Sequence, residues 1–496
     1  MPTLHFKGKP LVQNHHLVVP FSELEAVKSR GVSKSPSLHD NLIVEGDNLK
    51  ALKALLPAFH GKVKCIYIDP PYNTGNEGWI YNDKVNSPMI RDWLGKTVDR
   101  DDLTRHDKWC CMMLPRLKLL RELLTDDGAI FVSIDDNEVH HLRALMNEVF
   151  GEENLVTQIA WQARYSRSND ATFSLSHNHL VVYAVTLERW EAERNLLTRT
   201  AAQEEQYKNP DDDPRGPWRA IPWDAPDIRE NRAYPIKTPS GNVRYPPKGR
   251  HWSRTEDQWL KIVTNGLAYF GKSGDGAPSF KAFLKDAPGI VPNTWWTHED
   301  AGHTDEAKKE LLAIFSEIDI DAVTTPKPTR LLRRIFQIAT DKDSIILDSF
   351  AGSGTTAHAV LALNKEDGGN RRFILCQMPY ETKEQEQKKE NICERITAER
   401  VRRVVKGVPG AKDEALRAGL GGTFSYFRLG NELRKQAILD GKDLPSYEAL
   451  AGYVFFTATG EEFQPKKMKA PSLARVTTAT YSSSTSRTSS SSKTWR

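Results

Sequence analysis

The sequence predicts an α/β protein: a doubly wound, mostly parallel sheet with a separate insertion. Three observations predict it. Short apolar runs ending in an acid or a turn recur at 42–44, 65–68, 129–134, 344–347 and 371–381, and stretches of helical period separate them. Two of these runs close on turns rich in proline or glycine, at the strand ends where open α/β sheets bind ligands. Between 187 and 323 the periodicity breaks down, and proline, tryptophan and arginine accumulate.

The chain has 496 residues, 39% hydrophobic and 27% charged, with a formal net charge of +4. This is the composition of a soluble globular protein of two or three domains. A small positive charge is compatible with a polyanion partner. No apolar run reaches membrane-spanning length, and the first residues lack a signal-peptide pattern, so a cytoplasmic protein without a membrane partner is expected. The five cysteines, at 65, 110, 111, 376 and 393, include no C-x-x-C pair. Reduced buried thiols and no metal are expected.

Residues 1–40 form a polar N-terminal extension. Leu42-Ile43-Val44 is a strand, Gly46-Asp47-Asn48 a turn and helix cap, and Leu49, Leu52, Leu55 and Leu56 recur at helical spacing. With the strand Cys65–Ile68 they make a βαβ unit and hence a parallel sheet. Asp69 follows at the strand's carboxyl end, and Pro70-Pro71 stop the strand and stiffen the loop that carries Tyr72. Residues 73–108, rich in Asn, Gly, Asp and Lys, read as a loop that closes over substrate. A helix over 109–124 ends at Asp127-Gly128, before the strand Ala129–Ile134. Asp135-Asp136-Asn137-Glu138 resembles a metal cluster but better suits a helix N-terminus, where acids are favoured. His140 and His141 project apart on that helix. Arg164 and Arg167 lie in a polar loop, solvated or touching phosphate.

Residues 214–254 hold eight prolines, three tryptophans, and nine Lys/Arg against three Asp/Glu. Such a mixture suits nucleic-acid contact, with Arg215, Arg219, Arg244 and Arg250 as candidates. It equally suits an irregular domain whose tryptophans form its own core. Further on, Leu331, Leu332, Ile335 and Ile338 make a helix face. Asp348 ends the strand 344–347, and Phe350-Ala351-Gly352-Ser353-Gly354 turns tightly into a helix from Thr355. Backbone N–H groups at a helix N-terminus attract an anionic group, and glycine admits close approach. No G-K-[ST] follows, so this is not a phosphate-binding P-loop. Residues 391–407 read as a basic helix, 450–463 as the last core-like stretch, and 476–496 as a disordered Ser/Thr-rich tail.

Asp69-Pro70-Pro71-Tyr72 resembles the D-P-P-Y motif of amino-group DNA methyltransferases, and Phe350–Thr355 resembles the S-adenosylmethionine turn of methyltransferases. The order, with the catalytic turn first and the cofactor turn last, is similar to that of the β-group. The fuller runs E-G-D-N-L-x-A-L, I-Y-I-D-P-P-Y-N-T-G, F-V-S-I-D-D-N-E and D-x-F-A-G-S-G-T-T-A-H-A-V-L resemble the modification (Mod) subunit of type III restriction–modification systems.

The resemblance implies an S-adenosylmethionine-dependent methyltransferase fold with an inserted target-recognition domain. It divides the chain into an extension (1–40), a catalytic half (41–186), the recognition insertion (187–323), a cofactor half (324–407), a C-terminal region (408–475) and the tail (476–496). It also implies methylation of the N6 amine of adenine at a specific sequence in duplex DNA. The Asp69 carboxylate and Pro70 carbonyl would accept the amine's hydrogens, Tyr72 would stack on a flipped base, and Asn73 would border it. Asp348, Phe350, Ala351, Gly352, Ser353, Gly354 and Thr355 would hold the cofactor, Asp47 would lie near its adenine unless it is a plain N-cap, and Gln377 would stand in for the missing ribose acid. Double-stranded DNA, a second copy of the chain and a restriction (Res) subunit are the implied partners, and DNA binding would place the chain at the nucleoid. Methylation of cytosine N4 and a catalytically silent DNA-binding subunit are the rival readings. No Pro-Cys dipeptide is present for cytosine C5 chemistry.

Overall fold

The computed structural model describes residues 3–74, 102, 104–167, 172–227, 229–315, 325–381 and 383–463. The chain divides into two compact units, Met1–Asn195 with Asn293–Arg496, and Leu196–Pro292. Most of the proposed closing loop (75–101 and 103) and the whole tail from 464 lie outside the described residues.

The larger unit is built on one ten-stranded sheet. In chain order its strands are β1 (Ser22–Ala26), β2 (Leu42–Glu45), β3 (Val63–Ile68), β4 (Leu124–Ile134), β5 (Leu155–Trp161), β6 (Asn178–Ala184), β7 (Trp295–Trp296), β8 (Ile345–Asp348), β9 (Arg372–Gln377) and β10 (Ser425–Glu432). Their spatial order is β1-β10-β2-β9-β8-β3-β4-β6-β5-β7. The run from β10 to β4 is parallel throughout, and β1 and β6 are antiparallel to their neighbours. Successive residues of the central strands are buried alike, as in Leu42-Ile43-Val44 and Cys65 to Ile68. A strand buried on both faces requires a helical layer on each side.

On one face, α1 (Asn48–Phe59), α2 (Arg105–Leu123) and α3 (Val139–Phe150) pack in turn and share a core with Leu42, Val44, Ile66, Ile68, Ile130, Val132, Ile345 and Leu347. A second set comprises α4 (Thr329–Ala339), α5 (Thr355–Asp367) and α6 (Glu399–Lys406), with α5 packed against both others. In α4 the buried Leu331, Leu332, Ile335, Phe336 and Ile338 make one stripe, as their spacing predicts. Asp47 is the N-cap of α1, its carboxylate accepting from the Lys50 N–H at 3.2 Å.

Several elements depart from the sequence reading. The second helix ends at Leu123, and β4 starts at once, with an irregularity where Val63 pairs with Leu124 but Cys65 with Ala129. Pairing with β3 draws 124–128 into the strand, and Lys64 meets Asp127 across it at 2.6 Å. The basic stretch at 391–407 opens with a wide π-type turn, Cys393–Ala398, before α6. The core-like stretch at 450–463 belongs to a helix, Tyr447–Thr459, in which Ala451 alone is buried. Tyr453 stacks on Phe21 at 4.4 Å.

The smaller unit is narrower than 187–323. Helix Leu187–Glu193 packs on β4, and β7 extends the main sheet beside β5, so both flanks belong to the larger unit. Within Leu196–Pro292 a three-stranded antiparallel sheet and the helix Glu256–Thr264 enclose Trp223, Ile236, Trp252, Trp259 and Phe270. The tryptophans at 218, 223 and 252 are thus buried in this unit. Leu197 and Ile290 face each other in an antiparallel bridge, with N–H to carbonyl distances of 2.9 and 2.8 Å. No helix among the described residues is long and apolar enough to cross a membrane.

Candidate active site

β3 and β8 lie side by side and parallel, with Leu347 opposite Ile66. Asp69 and Asp348, about 280 residues apart in the chain, therefore emerge at the same carboxyl edge. Parallel pairing extends this edge to β9 and β2, where Gln377 stands opposite Glu45, two residues before Asp47.

The Asp-Pro-Pro-Tyr turn is held from several sides. The Nε1–H of Trp109, fully buried on α2, donates to the Pro71 carbonyl at 2.7 Å. The Tyr72 hydroxyl shares a hydrogen bond with Ser133 Oγ of β4 at 2.8 Å. Burial raises the Tyr72 phenol well above its usual range, and the Asp69 charge adds to the rise. Asp69 Oδ2 accepts from Lys327 Nζ, while Oδ1 is buried without a hydrogen-bond partner among the described residues. The Lys327 ammonium also lies 5.0 Å from the centre of the Tyr72 ring.

Asn73 is buried in the left-handed region, φ 61°. Its amide donates to Glu138 at the start of α3. Glu138 is fully buried and also meets His106 Nδ1 at 2.6 Å and His141 Nδ1 at 2.8 Å. The ligand atoms of this trio lie within 4.8 Å of one another, and the carboxylate serves them as a common acceptor. Glu138 thereby ties the end of the Asp-Pro-Pro-Tyr turn to α2 and α3, a role its place in an acidic cluster does not reveal.

At the second turn, Asp348 accepts from the Phe350 N–H at 3.0 Å and from Thr356 Oγ1 at 2.5 Å. Burial lifts its pKa to about 7, and the nearby Asp69 charge adds to the rise. Gly352 and Gly354 both have positive φ, 50° and 78°, but for different reasons. A Cβ on Gly352 would meet nothing closer than the Phe350 carbonyl at 3.9 Å, so the space beside it is open. A Cβ on Gly354 would press on the Thr397 carbonyl at 3.1 Å. Gly352 leaves room for a ligand, and Gly354 lets the chain pack. Ser349 Oγ is buried without a partner among the described residues.

Gln377 is committed within the protein. Its Oε1 accepts from the Gly352 N–H at 2.6 Å, and its Nε2 donates to Glu381 at 2.9 Å. It pins the glycine turn. Thr397 Oγ1 donates to the Gly352 carbonyl at 2.6 Å. Arg400, read in the sequence as part of a basic face, is fully buried and donates to Ser353 Oγ at 3.0 Å and Thr355 Oγ1 at 2.7 Å. Burial lowers its pKa to about 10, against the attraction of Glu310. His358, burial-shifted well below its usual range, lies 3.2 Å from the same guanidinium. Asp47 meets Arg116 at 3.5 Å, and Arg116 also donates to Asn48 Oδ1 at 2.6 Å. Asn48 in turn donates to the Ser349 carbonyl at 3.0 Å.

All five cysteines are buried, and burial pushes the thiols of Cys65, Cys110, Cys376 and Cys393 upward. None of these four is primed as a nucleophile.

The candidate arginines differ among themselves. Arg164 and Arg167 are exposed in the larger unit. In the smaller unit, Arg215 is spent: it grips Asp213 through Nε and NH2 at 2.8 Å, donates to the Asn265 and Gly266 carbonyls, and lies over Phe283. These bonds tie it into the fold of the smaller unit. Arg244 pairs with Asp275 at 3.1 Å, and Arg250 with Asp224. Arg219 is exposed and lies over the Tyr207 ring at 5.3 Å.

Comparison with known proteins agrees with this geometry. The chain is 36% identical over 439 residues to the type III restriction-modification enzyme StyLTI Mod subunit of Salmonella typhimurium, covering 85% of this chain and 64% of that one. It is 31% identical over 420 residues to the EcoPI Mod subunit of Escherichia phage P1, covering 76% and 63% respectively. It thus spans less than two thirds of the length of these Mod subunits. It is 30% identical over 362 residues to the type II methyltransferase M.KpnI of Klebsiella pneumoniae, covering 66% of this chain and 78% of that one. The profile of the N6_N4_Mtase family, described as DNA methylase, matches residues 63–389, which hold both turns. The chain belongs to this DNA methylase family.

Proposed function

We propose that this chain methylates the N6 amine of adenine at a specific sequence in duplex DNA, as the modification subunit of a type III restriction–modification system. One observation carries the reading: the parallel pairing of β3 with β8 brings the Asp69–Tyr72 turn and the Phe350–Thr355 turn to one edge. The similarity to Mod subunits supports the assignment to a type III system.

The residues present fit S-adenosylmethionine. The open space at Gly352, the unpartnered Ser349 hydroxyl and the start of α5 suit its polar methionine portion. When bound, it supplies a methyl group activated on a sulfonium. The rest falls to the chain. The Asp69 carboxylate would accept an N–H of the target amine, which draws the nitrogen lone pair out of conjugation. The same carboxylate stabilises the positive charge that grows on the nitrogen. Trp109 and Ser133 hold the turn beforehand, so little rearrangement is needed as that charge develops. The Tyr72 face is the seat for a flipped base.

Target recognition is assigned to the smaller unit, Leu196–Pro292, with Arg219 and Arg250 the exposed members of its four candidate arginines. A Res subunit and a second copy of this chain are the proposed protein partners, and a cytoplasmic, DNA-associated location follows from the substrate.

Single-molecule sequencing of genomic DNA from cells expressing this chain, beside cells expressing Asp69→Ala, tests the reading. N6-methyladenine at one short motif, present with wild type alone, is the expected result. N4-methylcytosine in its place would move the target to cytosine. The absence of any new modified base would overturn the proposal.

A further inference from the structure

Lys327 makes two contacts that belong together. Its ammonium donates to Asp69 Oδ2 and lies 5.0 Å from the centre of the Tyr72 ring. It is 7% exposed, and its backbone sits between Pro326 and Pro328, just before α4. Under the adenine reading, on which this inference rests, a target base would make the same two contacts. Its amine would donate to Asp69, and its ring would lie on Tyr72. One pocket cannot serve both at once.

We propose that Lys327 is a built-in competitor for the target base: its ammonium fills the amine position when no base is present and must withdraw before a base can seat. Its resting role is electrostatic. Asp69 is held at a strand end with its side chain 22% exposed and Oδ1 unpartnered among the described residues, and a carboxylate partly withdrawn from water is steadied by a counter-charge. An ammonium supplies that charge. During methyl transfer the logic reverses, because the amine nitrogen becomes positive, and a cation still on Asp69 would repel it and occupy its acceptor. Lysine suits this exchange. It is a compact charge on a flexible four-carbon stem, whereas arginine's planar fork would grip the carboxylate. The flanking prolines fix the backbone, so the movement falls to the side chain.

The test compares wild type with Lys327→Met, Lys327→Arg and Lys327→Met/Tyr72→Ala, all as the full chain. Saturation-transfer NMR follows adenosine binding with S-adenosylhomocysteine at saturation, so that the cofactor turn is filled. Methyl transfer to unmodified genomic DNA is measured in parallel. Lys327→Met should bind adenosine at least about fivefold more tightly than wild type, since a competitor has been removed. Lys327→Arg should bind no better than wild type, and Tyr72→Ala should erase the gain. KM for DNA should fall in Lys327→Met. A folded Lys327→Met that binds adenosine no more tightly than wild type overturns the inference. If that variant does not fold, Lys327→Gln, which keeps a donor but loses the charge, is read by the same criterion. Wild type that forms N6-methyladenine in DNA while Lys327→Met gains no affinity leaves the adenine reading standing and the competitor role refuted. Wild type that methylates no DNA refutes the reading itself, and the inference with it.

Discussion

The indole N–H of Trp109 donates to the Pro71 carbonyl at 2.7 Å, so a helix packed in the core fixes the turn that carries the Asp69 carboxylate. Trp109→Phe keeps most of the ring's bulk and removes the donor. The expected cost is about 1–3 kcal/mol of stability, read by urea unfolding, because a carbonyl is left unpaired. Loss of alignment at the turn should slow methyl transfer on the order of tenfold, with the cofactor dissociation constant unchanged.

Gln377 acts on the other turn. Gln377→Met leaves the Gly352 N–H without its acceptor and loosens the cofactor loop. Calorimetric titration with S-adenosylhomocysteine should show affinity reduced by about tenfold, the equivalent of one hydrogen bond. Unchanged affinity would mean that the turn holds its shape without this bond.

Asp348 gives the protein a pH signature. Its pKa is raised to about 7 by burial, whereas an unfolded aspartate titrates near about 3.9. Below the unfolded value both states hold the proton, and the group leaves stability unaffected. Between the two values the folded state keeps a proton that the unfolded state has lost, so stability falls as pH rises. Above about pH 7 the penalty is complete, on the order of 4 kcal/mol. Asp348→Asn removes the titration. Its melting temperature should therefore change less than that of wild type between about pH 5 and 8.

Arg400 is a buried charge among Ser353, Thr355, His358 and Glu310. Arg400→Met should cost about 3–5 kcal/mol, because the Glu310 carboxylate loses the cation that balances it. Adding Glu310→Gln should recover part of that loss in urea unfolding. Simple additivity of the two substitutions would show that the pair is not coupled.

How legible these features were in the sequence depended on how local their causes are. Cys65–Ile68 and 344–347 stood out as strands because each is a short apolar run stopped by an acid and a tight turn. The doubly wound sheet followed from their alternation with helical stretches. Lys327 is not legible in the sequence, since nothing near it in the chain indicates that its ammonium reaches Asp69. Arg400 looked like one more charge on a basic helix, and Arg215 like a candidate nucleic-acid contact. Local composition cannot show that the first is sealed behind the cofactor turn, or that the second folds back on Asp213 and two carbonyls. The early start of β4 was hidden for the same reason: residues 124–128 become strand through pairing with β3, which their own pattern does not announce.

The bridge between Leu197 and Ile290 has a consequence for how such a protein can diversify. It ties Leu197 to Ile290, near the two ends of the smaller unit, so the segment between them is a closed loop of chain. Lengthening a closed loop costs entropy only logarithmically. The segment between Leu197 and Ile290 can therefore grow, shrink or be exchanged for another sequence at small entropic cost. Under the proposed function, target preference and chemistry could then be inherited separately, and a lineage could acquire a new address in DNA while the turns at Asp69 and Gly352 stay unchanged.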